Sequence, residues 1–530
     1  MFVAFRKRWN YLTLMAAAGT VVMQCGWAGK FYSVPEMGTA LAVFLFFAWL
    51  FPVFFLWARQ REQDDKYLMA SAVLMPMVTL VFANMLLMVP RLGGGGEPLL
   101  LFVCVFAADI ALLLIAWFKL ELRSMHAVAG AAVYWLLAVW TMDYLKPETL
   151  NHALGLYLCF AILHSVFPVM AARKRPSPTP VWWAHVFAPM ALLLFLAPIF
   201  KLASVSMLLW PAVLLVDLVA IAVAFVTASL FGLLAVLLLT VLAAACWVLE
   251  APQEIGHLSE YLLVVGGFGV FFFLIGMFAV KKSMFPSGQT EGESTTGSQA
   301  TSGWPAIFTD NRLAEHVPAL SAILPFLLLI MVVERLPIGD PSPVFGLAAL
   351  MMVLLLSLAW TGKADLLCLV SLACLWGVEC TWQFRRFDAE HAPIALGWYL
   401  GFQAVLTLFP FLFQSRMKGR VLPWMASALA GPAQFFLVHR LVRATWPNSY
   451  MGLLPALFAV PAMVALARAA GVGAGGDRHQ KSVLALFGGV ALFFITLVFP
   501  IQFDREWITL GWAVEGMALL WLLHRISHEG

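Results

Sequence analysis

The chain has 530 residues, of which 63% are hydrophobic and only 11% are charged, and its mean hydropathy is +0.91. This composition cannot supply the polar surface of a water-soluble globular protein, so soluble enzymes and soluble binding modules are excluded. The net charge of +4 is small, and we interpret it as a signal of membrane topology and not as a nucleic-acid-binding surface.

Apolar segments long enough to cross a membrane recur along the whole chain. About 18 segments of about 20 residues are predicted, since a hydrocarbon core of roughly 30 Å requires that length. None shows the two-residue alternation of an outer-membrane barrel strand. The sequence therefore predicts an all-α fold, a polytopic transmembrane helical bundle. The segments begin near Tyr11, Met37, Tyr67, Leu99, Met125, Asn151, Val181, Val205, Leu230, Leu258, Val317, Val344, Ala364, Ile394, Val421, Tyr450, Val483 and Ile508.

One stretch of the chain recurs about 242 residues later. Ala-Leu-Gly-Leu-Tyr-Leu-Cys-Phe at 153–160 returns as Ala-Leu-Gly-Trp-Tyr-Leu-Gly-Phe at 395–402, and both stretches run on to a Phe-Pro pair. Nearly the same offset pairs Trp140 with Trp382, and Trp117 with Trp360. This pattern predicts two parallel eight-helix repeats, preceded by a helix pair.

The predicted repeats divide the chain into four parts. These are an N-terminal helix pair at residues 1–66, a first repeat at 67–282, a linker at 283–312 and a second repeat at 313–530. The linker is the only long hydrophilic stretch and is rich in Gly, Ser and Thr, a composition typical of a flexible connection.

Basic residues indicate the orientation in the membrane. Most of them fall on one side of the predicted spans, beginning with Arg6, Lys7 and Arg8. Cytoplasmic loops carry an excess of Lys and Arg, so we expect this side, the linker and both termini to be cytoplasmic. No clear small-x-small cleavage site follows the first apolar run, so we expect an uncleaved first helix.

Motifs for cofactors, metals or catalysis are not supported by their context. The seven cysteines form no C-x-x-C pair. The Gly-Val-Gly-Ala-Gly-Gly stretch at 471–476 fits a dinucleotide-binding pattern, but it lies between two transmembrane segments and follows no strand. The sequence therefore predicts no cofactor, no metal and no catalytic residue.

Ionisable side chains at membrane depth form the candidate polar site. Its members are Asp109, Asp217, Glu379, Glu515 and His164. Charges are costly in hydrocarbon, so these groups either line a path for a cation or proton, or hold the bundle together through interhelical hydrogen bonds. Four amides lie at similar depth and extend both possibilities: Gln24, Asn84, Gln403 and Gln434.

The C-terminal segment resembles a known family. The family pattern is an acidic residue followed by x-x-Trp, then Ala-Trp-Ala-x-Glu, then an apolar run that ends in Trp. Within residues 499–521, this pattern is matched by Asp504, Trp507, Trp512, Glu515 and Trp521. Gly511 replaces the first Ala of the pattern. This segment, with the opening Trp-Asn-Tyr-Leu-Thr at 9–13, is similar to a bacterial family of predicted membrane proteins, domain of unknown function 2339.

The resemblance implies a many-helix fold in the bacterial inner membrane and brings no established activity. Many relatives carry a longer soluble N-terminal region, which we do not expect in this chain, so no role of that region is carried over.

Three classes of function remain open. The first is a transporter or flippase that moves a small solute or a lipid-linked substrate through the lipid bilayer. The second is a non-catalytic scaffold or accessory protein in envelope assembly, and the third is an integral-membrane transferase. The third would use a loose cluster on the non-cytoplasmic side. Because the spacing of these residues specifies no reaction, we lean against an enzyme. No nucleic-acid partner is expected, and the oligomeric state is not predicted. The cluster consists of Asp143, Glu250, Glu254, His257 and Glu260.

Isosteric amide variants distinguish function from structure at the carboxylates. If Asp217 or Glu379 serves transport, Asp217→Asn or Glu379→Gln abolishes a transport phenotype and leaves the amount of folded protein largely unchanged. Equal loss of protein and phenotype, measured by quantitative blotting beside the transport assay, instead favours a structural role.

Overall fold

A computed structural model of the chain describes residues 2–61, 65–119, 123–174, 185–202, 205–227, 230–250, 252, 255–281, 317–362, 364–417, 419–471, 478–502 and 505–525. Within these ranges the regular structure is helical and no strand occurs. This confirms the predicted all-α, polytopic class. Helices are favoured because a backbone in hydrocarbon has no water to bond with and must satisfy its own N–H and C=O groups.

The described chain forms two compact units, which divide after Glu250. The helices of the first unit are α1 (Phe2–Lys7), α2 (Tyr11–Phe31), α3 (Met37–Gln60), α4 (Lys66–Met88), α5 (Pro98–Phe118), α6 (Arg123–Tyr144), α7 (Leu150–Lys174), α8 (Phe187–Lys201), α9 (Leu209–Thr227) and α10 (Leu230–Glu250).

The helices of the second unit are α11 (Leu258–Lys281), α12 (Val317–Arg335), α13 (Ser342–Thr361), α14 (Leu366–Arg385), α15 (Ala392–Leu412), α16 (Gln414–Met417), α17 (Val421–Thr445), α18 (Leu453–Gly471), α19 (Arg478–Gln502) and α20 (Arg505–Arg525).

Sixteen of the described helices are long and apolar enough to cross a membrane. They do not include α8 and α20, which correspond to the predicted segments beginning near Val181 and Ile508. Helix α8 has only 15 residues, or about 22 Å at the helical rise per residue, and residues 175–184 before it lie outside the described ranges. The chain is therefore a multi-pass membrane protein. Helices α8 and α20 are not counted among its candidate membrane spans.

The boundary between the compact units differs from the predicted domain boundary. Helix α11 groups with the second unit, where it packs against α12 and α13, whereas the predicted first repeat at 67–282 includes it. Helix α3 packs against α4 and α5 in the same way in the first unit. The predicted linker at 283–312 lies outside the described residues, and the four-part division stays a prediction.

Aromatic contacts recur in the two units at the predicted offset. In the first unit, the rings of Phe102 and Trp140 meet edge to face with centroids 5.9 Å apart. In the second unit, Phe345 and Trp382 meet in the same arrangement, also at 5.9 Å. All four side chains are buried, so each pair joins two neighbouring helices in the interior of its unit.

Polar contacts recur at the same offset. The hydroxyls of Thr141 and Tyr157 lie 2.5 Å apart, and at the matching positions Tyr399 donates to Gln383 Oε1 at 2.9 Å. A cation also lies over the ring of Trp117 and over that of Trp360, namely Lys174 at 4.9 Å and Arg416 at 4.4 Å.

The glycine run at 93–96 allows a close approach between α4 and α6. Gly93 has a φ of 76° and ends a short turn after α4. A Cβ on Gly95 would lie 2.0 Å from the ring of Tyr144, whose hydroxyl donates to the carbonyl of Leu87 at 2.9 Å. This turn is therefore a packing surface for the Tyr144 ring.

Removal of a central aromatic ring should destabilise the second unit. Phe345 is fully buried and contacts the rings of Trp382, Tyr399 and Phe402. We expect Phe345→Ala to lower the free energy of unfolding by about 3 kcal/mol, because the cavity it leaves cannot close completely. Unfolding in mixed micelles measures this change. Phe436→Ala is the control, since Phe436 is 48% exposed and its loss should cost less than about 0.5 kcal/mol.

Candidate intramembrane polar site

Asp109 and His164, two residues of the candidate site, meet in the first unit. Asp109 lies near the middle of α5 and His164 lies on α7, and both side chains are fully buried. Asp109 Oδ2 and His164 Nε2 are 3.1 Å apart, within ion-pair distance, although they are not aligned as a hydrogen bond. A carboxyl group and an imidazole from two different helices thus contact each other in one apolar site.

A third titratable group extends this contact. His126, near the start of α6, is buried, and its Nε2 lies 3.3 Å from Nδ1 of His164. If His164 carries its proton on Nε2, toward Asp109, its Nδ1 accepts from His126 Nε2–H. We name Asp109, His164 and His126 the Asp–His–His chain; it links α5, α7 and α6.

Aromatic rings surround the Asp–His–His chain. His126 stacks on Phe167 with ring centroids 5.1 Å apart, and Phe187 lies 5.0 Å from both histidine rings. The buried Tyr134 stacks on Phe187. These rings keep the effective dielectric constant low, which strengthens electrostatic interactions within the chain.

Five polar atoms of this site have no hydrogen-bond partner among the described residues. They are both carboxyl oxygens of Asp109, Nε2 of His164, Nδ1 of His126 and the hydroxyl of Tyr134. Buried polar groups are usually paired, and an unpaired one marks a place for a proton, water or ligand. The Asp–His–His chain therefore has a free acceptor or donor at each end.

Gly130 creates the space in which the Asp–His–His chain is packed. A Cβ at this position on α6 would lie 2.3 Å from the ring of Phe187 and 3.1 Å from His164 Nδ1. Any larger residue here would displace Phe187, His164 or both.

Asp217 forms a separate pair in the first unit. The hydroxyl of Thr240 on α10 lies 3.0 Å from each carboxyl oxygen of Asp217 on α9, and both residues are buried. This is a contact between one carboxyl and one neutral donor on the neighbouring helix, the arrangement expected of an interhelical hydrogen bond.

Glu379 forms the equivalent kind of pair in the second unit. Gln434 Nε2 on α17 donates to Glu379 Oε2 on α14 at 2.7 Å, and both side chains are fully buried. Glu379 Oε1 and Gln434 Oε1 have no partner in the described part of the chain. The pair joins two helices but contains only one titratable group.

Two further predictions concern Glu515 and the loose cluster of the transferase hypothesis. The backbone of Glu515 lies in α20, but its side chain lies outside the described part of the chain. In the loose cluster of the transferase hypothesis, His257 Nδ1 lies 3.2 Å from Glu260 Oε2 and both groups are exposed. Glu254 lies outside the described residues.

A further acid–histidine pair lies in the loop between α14 and α15. The backbone N–H of Glu390 donates to Asp388 Oδ1 at 3.2 Å, and His391 Nδ1 lies 3.2 Å from Asp388 Oδ2. These hydrogen bonds hold the pKa of the Asp388 carboxyl below its usual range. The pair orders an exposed loop and does not extend the polar sites of the spans.

Sequence reasoning missed His126, Tyr134 and Thr240. His126 lies near the start of its span and has no spacing relation to Asp109 or His164, so only helix packing brings the three together. Within the described ranges, no group of three His, Cys, Asp or Glu residues is arranged to hold a metal ion.

Comparisons with known proteins do not place the chain in a family. No family model matches it, and neither a curated protein nor a solved structure does. The resemblance to the bacterial membrane-protein family therefore stays a prediction.

Gly130→Ala should distort the Asp–His–His chain. Because the new methyl group overlaps Phe187, we expect the free energy of unfolding to fall by about 1 to 3 kcal/mol. Gly155→Ala on α7 is the matched control, since nothing lies within 4 Å of its Cβ position, and it should change stability by less than about 0.5 kcal/mol. Equal unfolding midpoints for the two variants would contradict the packing described here.

Proposed function

We propose that the protein is a multi-pass transporter or flippase for a solute or lipid-linked substrate. In this proposal the three residues of the Asp–His–His chain carry a proton. The supporting observation is the contact of three titratable groups from three helices at 3.1 and 3.3 Å inside an apolar site. A structural hydrogen bond requires two groups, whereas a relay requires a series of donors and acceptors.

The proton path follows from the two nitrogens of each imidazole ring. A proton taken up at His126 Nδ1 allows His126 to release the proton on Nε2 to His164 Nδ1. His164 then releases its Nε2 proton to the Asp109 carboxylate, and one proton has moved along the chain. The unpartnered atoms at both ends are the entry and exit of this path.

The predicted duplication belongs to the same proposal. Parallel repeats are a common plan of transporters, and the paired contacts of Phe102–Trp140 and Phe345–Trp382 support a common origin of the two units. Helix α3 packs on the two helices that follow it, and α11 does the same in the second unit. We therefore propose that the repeats are α3–α10 and α11–α19, so that each repeat begins one helix earlier than the sequence alone predicts. We place the protein in a bacterial inner membrane with both termini in the cytoplasm, as the sequence suggests.

The scaffold hypothesis is the second candidate, and a specific observation favours it. Asp217 and Glu379 are each bonded to one neutral side chain of an adjacent helix, Thr240 or Gln434. Such pairs join neighbouring helices, and they contain no second titratable group to receive a proton. A transferase has the weakest support, since its described residues form only an exposed His257–Glu260 pair.

Proton flux into liposomes tests the proposal. The protein is reconstituted with a pH-sensitive dye inside, and a potassium diffusion potential drives protons inward. We expect Asp109→Asn and His164→Gln to reduce the flux by about a hundredfold, because each removes one proton-transfer partner.

Asp217→Asn is the matched control, because its amide oxygen can still accept from Thr240 and it lies outside the relay. It should retain the wild-type flux. A wild type that is indistinguishable from protein-free liposomes, or an Asp109→Asn variant equal to the wild type, would contradict the proton relay and favour the scaffold.

A further inference from the structure

A small pocket lies between four helices of the first unit. Its walls include Ser165 of α7, His185 in the turn before α8, Ala220 of α9 and Gly232 of α10. Counted over the positions that the centre of a water molecule can take, its volume is about 10 Å³. A pocket of this size has room for one water molecule and for nothing much larger.

The hydroxyl of Ser165 has no hydrogen-bond partner among the described residues, and the side chain is fully buried. Other buried serines of the spans are paired locally. Ser71 and Ser321 each donate to a carbonyl of their own helix, at 2.7 and 2.8 Å. An unpaired hydroxyl in an apolar environment is unfavourable, so a partner for Ser165 stabilises the folded protein.

His185 supplies a second polar group to the pocket. A Cβ on Gly232 would lie 3.0 Å from Nδ1 of His185, so this glycine leaves room for the imidazole ring. The ring forms no hydrogen bond with any residue that the structure describes. A neutral imidazole carries one donor and one acceptor, and it can therefore bind a water molecule through either nitrogen.

The second unit has a polar pocket at the matching place. At the offset of 242 residues, Ser165 corresponds to Thr407 and His185 to Ser427, and both of these residues line a pocket between α15, α17, α18 and α19. There the hydroxyl of Ser427 donates directly to the carbonyl of Thr407 at 2.8 Å. This bond joins α15 to α17, whereas no described hydrogen bond joins Ser165 to His185.

We infer that the first unit binds one water molecule in this pocket, hydrogen-bonded to the hydroxyl of Ser165 and to the imidazole of His185. The water molecule does in the first unit what the Ser427–Thr407 bond does in the second, because it joins α7 to the turn before α8. Water fits the volume, and both side chains can donate to it or accept from it. Among the described lining residues none has a carboxylate to hold a metal cation.

This inference goes beyond the proposed function and does not depend on it. Ser165 directly follows His164 on α7, but the water site shares no residue with the Asp–His–His chain. A failure of the proton relay would therefore leave the water site untouched, and the reverse also holds.

Radiolytic labelling in heavy-oxygen water tests the inference. In protein reconstituted in lipid nanodiscs, X-ray pulses convert bound water into hydroxyl radicals, which oxidise the nearest side chains, and mass spectrometry locates the label. Val236 lines the pocket and Val213 does not, although both are 0% exposed. We expect label on Val236 and none on Val213. Ser165→Ala and His185→Phe should each lose the label on Val236, because each removes one of the two polar partners of the water.

Ser371→Ala is the matched control. Ser371 is also fully buried with an unpaired hydroxyl, but it lies in the second unit, so this variant should keep the wild-type label on Val236. An unlabelled Val236 in the wild type overturns the inference. So does a wild-type label in either Ser165→Ala or His185→Phe, or an equal loss of label in Ser371→Ala. A single monodisperse peak in size-exclusion chromatography shows that each variant is folded.

Discussion

The absence of water at membrane depth is the constraint on which the structure depends. The backbone meets it by forming helices, and buried carboxyl groups meet it by contacting a polar side chain on another helix. The contacting side chain is His164 for Asp109, Thr240 for Asp217 and Gln434 for Glu379. Each contact fixes a pair of helices, α5 with α7, α9 with α10 and α14 with α17.

Several aromatic and polar contacts occur in both units at the same offset, but the buried ionisable groups of the units differ. The Phe102–Trp140 contact has its counterpart in Phe345–Trp382. The Thr141–Tyr157 contact has its counterpart in Gln383–Tyr399. The Asp–His–His chain does not recur, because the matching positions hold buried Met352, Leu406 and Cys368. The Glu379–Gln434 pair is likewise matched by buried Leu137 and Leu192 in the first unit. Each unit therefore has its own polar centre at a place where the other is apolar.

The sequence predicted the helical class and the position of most spans, because length and hydropathy alone determine whether a segment can cross a bilayer. It also selected Asp109 and His164, since any ionisable residue in an apolar span is conspicuous. It could not predict that they meet, because contacts between helices depend on packing, which no local pattern encodes. His126 was missed for the same reason: it is buried by Phe167 and Phe187, which belong to other helices.

The hydrophilic stretch at 283–311 lies within the sequence of the second unit, because α11 precedes it and belongs to that unit. This stretch follows the first helix of the second unit and so does not separate the two units along the chain. A gene split there would give fragments whose described parts carry eleven and nine helices, with α11 on one fragment and its packing partners α12 and α13 on the other. Co-expressed fragments would thus be held to each other by the native contacts of α11 with α12 and α13.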